Sequence, residues 1–311
     1  MNDGFFVHPL LRAGLAALLL LAVLPLRASA EGFLDPTPRI AVISAFEEEW
    51  TVLKSEIREP AEYRINGRSF IAGKLAGKDV VLLLSGVSMV NAAMNTQIAL
   101  DRFPVTAVMV SGIAGGVDPD LHIGDVVIAD RWGQYLEAVF ARETPDGFAI
   151  PDWMEKDGFA GHGMMIPRAV EVTRQDKGPE RRFWFPSDPG LLAAARKVAS
   201  EVGLVRCAGA GTCLHHGPKI IVGGNGVSGQ AFVDNAEFRD YVWRTFKARL
   251  LDMESAAVAH VAYANGVPFL AVRSLSDLAG GNGEANEMTT FMALASRNSA
   301  AVVMAVLRDM P

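Results

Sequence analysis

The chain has 311 residues, half of them apolar, with 29 Lys and Arg against 35 Asp and Glu for a formal net charge of −6. This is enough apolar material for one large α/β core of about 280 residues once a leader is set aside. The acidic balance, with no Lys/Arg cluster interleaved with aromatics, excludes a surface built to neutralise a nucleic-acid backbone.

Residues 13–26 form an almost unbroken apolar run followed by Arg27-Ala28-Ser29-Ala30. The run is short for a bilayer, and Ala28-x-Ala30 supplies the small residues a signal peptidase accepts. The expectation is a signal peptide over 1–30, cleaved after Ala30, and a periplasmic or secreted mature chain with no membrane attachment. No other transmembrane candidate stands out.

From residue 39 strand and helix signals alternate: strand 39–45, helix 47–57, strands 69–74 and 79–85, helix 91–103 and strand 105–111, which ends in the glycine turn SGIAGG. A strand at 125–129 follows. Residues 131–186 lose periodicity and are expected to be an elaborated loop region. Ser187-Asp188-Pro189 then reads as an N-cap with a first-turn proline opening a helix over 190–202. A strand at 219–222, a helix at 236–246, a strand at 249–253, a helix at 255–264, a strand at 267–273 and a helix at 287–308 complete 31–311. The pattern predicts one three-layer α/β/α domain around a mixed, mostly parallel sheet.

Two cysteines occur, Cys207 and Cys213. A local disulfide suits an exported chain, though spacing does not fix geometry. Together with His215 and His216 they match no zinc spacing, so no metal site is predicted. The segment 224–229 fits G-x-G-x-x-G, but Gln230–Val233 separates it from a helix whose cap is Asp234-Asn235, so a dinucleotide site is not expected.

Acidic residues at successive strand ends carry the chemical signal. Strands 249–253 and 267–273 are read as parallel, which places Asp252, Glu254, Arg273, Ser276 and Asp277 at the ligand-binding edge of an open sheet. The competing reading makes Asp252 and Ser276 helix caps. Glu47-Glu48-Glu49 suits a helix N-terminus, yet one of the three would share the cleft with Glu254 and Asp277. Crowded carboxylates push their protonation equilibria apart, giving an acid and a base.

RIAVISAFEEEW, LLLSGVSMVNAA, VMVSGIAGGVDPDLHIGDVVIAD, VSGQAFVDN and LLDMESAAVAHVAYANGVPFLAVRSLSD resemble, in order, the blocks of the nucleoside phosphorylase/nucleosidase superfamily. The resemblance is closest to the 5′-methylthioadenosine/S-adenosylhomocysteine nucleosidases, with similarity to exported plant bark and vegetative storage proteins. It implies hydrolysis of a purine nucleoside without cofactor or metal, by a homodimer. By that resemblance Glu49 activates water and Asp277 protonates the purine, with Arg273 grouped among the catalytic residues. Glu254 holds the ribose hydroxyls beside Met253, Arg273 and Ser85 line the ribose side, Phe232 stacks on the base beside Val233, and Ser276 supports the acid. Phe46 stands where a methionine is common near the 5′ substituent, Asp252 where a glutamate is usual, and Gln230 where an aspartate is usual. A phosphorylase and a non-catalytic binding or storage protein are the alternatives. Phosphorolysis is disfavoured because a phosphate dianion would meet a carboxylate at Glu49.

Overall fold

The computed structural model describes residues 32–310 apart from 175, 210, 282 and 284, so the expected signal segment 1–30 lies outside it. A twelve-stranded mixed sheet forms the centre. Its strands are β1 (Arg39–Ser44), β2 (Arg58–Ile65), β3 (Arg68–Leu75), β4 (Lys78–Leu84), β5 (Val105–Gly116), β6 (Val126–Ile128), β7 (Arg131–Gln134), β8 (Trp184–Pro186), β9 (Ile220–Val222), β10 (Asn225–Ser228), β11 (Ala248–Asp252) and β12 (Phe269–Asp277). The helices are α1 (Glu47–Glu56), α2 (Met89–Arg102), α3 (Pro189–Val198), α4 (Ala236–Phe246), α5 (Ser255–Ala264) and α6 (Met288–Asp309).

Side-chain alternation along β1 builds the layers. Ala41 and Ile43 face Ala92 and Ala99 of α2 and Ala256, Val258 and Ala262 of α5. Ile40 and Val42 face the other way, toward Trp50 and Leu53 of α1, Leu191 of α3 and Val302 and Val306 of α6. Each fully buried Leu or Val contributes about 1.5–3 kcal/mol relative to exposure. The result is the expected three-layer α/β/α arrangement. Helix α6 is long and apolar enough to cross a membrane, but 67% of its apolar window is buried inside the protein, so it serves as a core helix.

Three expectations need correction. The SGIAGG segment is not a turn: β5 runs unbroken to Gly116. Strands β11 and β12 are not parallel neighbours, because both pair with β5, β12 in parallel and β11 antiparallel through Leu250 and Leu251. The region 131–186 is not an irregular loop. It supplies β7 and β8 to the sheet and folds three further pairs, Ala138–Phe140 with Met165–Pro167, Arg142–Thr144 with Gly147–Ala149, and Val170–Arg174 with Gly178–Arg182. Strand β2 was also missed, because its sequence REPAEYRI is polar and mostly exposed, as an edge strand allows.

Other local signals hold. Asp188 caps α3 by accepting from the Gly190 and Leu191 N–H groups at 2.8 and 3.0 Å. Asn235 caps α4, accepting from Phe238 N–H at 2.8 Å, while Asn225–Ser228 inside the glycine-rich motif is strand β10. Cys207 and Cys213 are disulfide-bonded across a short hairpin.

Candidate active site

A cleft of about 340 Å³ lies where β5, β11 and β12 meet the start of α1. Glu49 enters it from the first helical turn, where three acidic residues complement the helix dipole. Its carboxylate is buried and accepts hydrogen bonds from Ala45 N–H at 2.5 Å and Ile113 N–H at 2.8 Å, with Arg273 Nη1 at 3.3 Å. Burial raises its pKa, against the opposing pull of Arg273 and those N–H groups.

Gly112 makes this meeting sterically feasible. A Cβ there would lie 2.2 Å from Arg273 Nη1 and 2.3 Å from Glu49 Oε1, so the glycine leaves room for these two side chains to meet.

Arg273 is fully buried beneath the cleft, and its guanidinium fans out to three carboxylates. Nε lies 2.8 Å from Asp252 Oδ2, Nη1 3.3 Å from Glu49 Oε1 and Nη2 3.2 Å from Glu254 Oε2. A planar fork suits this task because each nitrogen addresses a different partner at a fixed angle. Burial lowers the Arg273 pKa, but the three carboxylates outweigh it and the net direction is upward.

Glu254 follows β11 and accepts from Ser88 N–H at 2.8 Å on its other oxygen. Burial pushes its pKa up to about 7, with Arg273 opposing and the Asp252 and Glu49 charges adding to the rise. Asp252 organises the start of α5: it accepts from Glu254 N–H at 3.2 Å, from Ser255 N–H at 3.1 Å, and from the hydroxyls of Ser255 and Ser228.

Asp277 ends β12, with Ala279 N–H donating to one oxygen at 2.8 Å and Ser276 Oγ to the other at 2.9 Å. Burial raises its pKa, and these donors moderate the rise. Ser276 is a strand residue supporting this carboxyl and does not cap a helix.

Glu49, Glu254, Asp277, Ser276, Met253, Phe46, Phe232 and Val233 all line the cleft. Ser85 and Arg273 do not. Ser85 is buried and donates to Gly86 O at 2.9 Å. The guanidinium of Arg273 is occupied by protein carboxylates below the cleft. Gln230 is exposed and outside the lining. The sequence reading did not anticipate Glu48 as a second lining residue of its helical turn, nor Met288 and Met292. Their i, i+4 spacing at the start of the last helix was the available signal.

Five carboxylates and no Lys, Arg or His line the cleft among the described residues, and the other walls are mainly apolar. Such a fold and site define a three-layer α/β protein with an acidic pocket for a small, uncharged or cationic organic molecule. Residues 39–308 match the model of the phosphorylase superfamily, and the chain belongs to it. It is 30% identical over 272 residues to the 5′-methylthioadenosine/S-adenosylhomocysteine nucleosidase of Halalkalibacterium halodurans, covering 86% of this chain and 97% of that one. The corresponding nucleosidase of Bacillus licheniformis is 31% identical over 271 residues, covering 87% and 98%. Among solved structures, the nucleosidase of Neisseria meningitidis in complex with methylthio-immucillin-A has a TM-score of 0.66 and 26% identity, covering 88% of this chain and 100% of that one.

Proposed function

We propose that the protein hydrolyses the N-glycosidic bond of a purine nucleoside of the 5′-methylthioadenosine/S-adenosylhomocysteine type, releasing the free base. The observation that carries this reading is the convergence of Glu49, Glu254 and Asp277 in one cleft with no cation in its lining among the described residues. A purine leaves poorly as an anion, so N7 must gain a proton as the bond breaks. Asp277, whose pKa burial raises, supplies it. The ribosyl fragment becomes oxocarbenium-like; Glu254 orients its hydroxyls and Glu49 takes the proton from attacking water. A base works best with a pKa near the operating pH, and burial moves Glu49 in that direction. Ser276 holds the acid, while Phe232, 55% exposed at the cleft, offers a stacking face for the base.

Phosphorolysis needs cations for a dianion, and Arg273 is committed to three carboxylates. The test is to incubate the protein with methylthioadenosine, adenosine and inosine, with and without phosphate, and measure free base. Phosphate-independent release from methylthioadenosine is expected. Release that strictly requires phosphate overturns the hydrolase reading, and no release from any nucleoside favours a binding or storage protein.

The reading extends to export and assembly. The leader-like 1–30 and the Cys207–Cys213 disulfide, a bond that persists in oxidising compartments, support a periplasmic or secreted location. Exposed apolar Val87, Val90 and Met94 beside the cleft support a homodimer. N-terminal sequencing of fractionated protein should begin at Glu31, and light scattering should give twice the monomer mass; an intact Met1 or a monomer mass rejects the corresponding claim.

A further inference from the structure

The five lining carboxylates differ in one respect. Glu49 and Glu254 are buried and held by backbone N–H groups and Arg273, Asp252 by Arg273 and two serines, and Asp277 by Ala279 N–H and Ser276. Glu48 is exposed and forms no ion pair or side-chain hydrogen bond among the described residues. Its neighbour Glu47 is outside the lining and lies 3.8 Å from Lys54. At Glu48 the wall also carries Phe46, while Val87, Met288 and Met292 supply further apolar surface to the same cleft.

An apolar wall suits a short alkylthio group. A solvated carboxylate set beside it adds an acceptor without a protein partner, which a cationic or hydrogen-donating substituent can use and an alkylthio group cannot. Arg273 offsets the charges of Glu49, Asp252 and Glu254, and Asp277 holds a proton, which leaves Glu48 as the lining carboxylate whose charge no protein group balances among the described residues. We propose that Glu48 is a specificity-determining residue that selects nucleosides whose 5′ substituent carries an ammonium group, by pairing with that group at the cleft mouth. This rests on the nucleosidase reading above. An α-amino-acid tail would present its ammonium to Glu48 and leave its carboxylate in solvent, whereas an anionic 5′ substituent is rejected. Uncharged methylthioadenosine makes no use of the pair.

The test compares kcat/KM for three substrates: methylthioadenosine, S-adenosylhomocysteine, and 5′-deoxy-5′-(3-aminopropylthio)adenosine, which has the ammonium without the carboxylate. In Glu48→Gln the preference for each ammonium-bearing substrate over methylthioadenosine should fall by about two- to fivefold, the range for a solvent-exposed ion pair. The largest fall is expected for the aminopropyl compound, and added salt should shrink the wild-type preference in the same way. Glu47→Gln should leave the ratio as in the wild type. An unchanged ratio in Glu48→Gln, whatever the absolute rates, or an equal change in Glu47→Gln, overturns the proposal. If the wild type cleaves none of the three, the nucleosidase reading fails instead, and calorimetric affinities of the same compounds for wild type and Glu48→Gln decide the role of Glu48 by the same ratio.

Discussion

Asp277→Asn should leave the protein folded and slow purine release by about 10²–10⁴-fold, the contribution of one well-placed general acid. The amide matches the carboxyl in shape. Its oxygen can still accept from Ala279 N–H, and the Ser276 hydroxyl can rotate to accept from the new NH₂ instead of donating. What the amide lacks is a transferable proton, so the loss should fall on kcat with little change in KM. Adenine release measured beside a thermal melt separates the two effects. Near-normal turnover would reject Asp277 as the acid. A large fall in melting temperature would instead make the residue structural.

The elements legible in the sequence were those whose apolar period was strong and whose ends carried punctuation. Asp188-Pro189 announced α3, and Asn265-Gly266 closed α5, where Gly266 takes φ 68°. What escaped detection depended on neighbours remote in the chain. Strand β10 is only four residues long, and its Gly226 is required because Trp132 packs where a side chain would stand, 2.8 Å from a hypothetical Cβ. The pairs within 138–182 are short and half-exposed, so alternation barely marks them.

The site divides in the same way. The strand ends and the family-like blocks pointed to Glu49, Glu254 and Asp277, but not to how they are held. Arg273 is 224 residues from Glu49, and local spacing does not reveal that a strand arginine is buried under three carboxylates. Nor does it reveal that the same burial removes Arg273 from the cleft wall. Asp252 looked like a cap; the cap position is Glu254, but Asp252 accepts from the Ser255 N–H at the helix start, and the same carboxylate fixes the Nε side of the guanidinium.

That arrangement predicts a large stability effect with a definite pH sign. Arg273→Leu leaves Glu49, Asp252 and Glu254 buried without their cation, and loss of a buried partner of this kind costs about 3–5 kcal/mol. Glu254 already has a folded-state pKa of about 7 against an ordinary 4.5, so its protonated form is favoured on folding. Its contribution to stability is fully present below about pH 4.5 and disappears as pH rises through about 7. Glu49 and Asp277 are shifted in the same direction. Removing the arginine raises the Glu49 and Glu254 values further, so the variant should lose stability more steeply as pH rises and over a window reaching to higher pH. Urea unfolding at pH 5, 6.5 and 8 should show a wild-type midpoint that declines through neutrality. The deficit of Arg273→Leu should be small at pH 5 and largest at pH 8. Arg273→Lys should recover only part of it, because a point charge cannot address three carboxylates at once. A deficit that does not vary with pH would show that lost packing, not the uncompensated carboxylates, governs the effect.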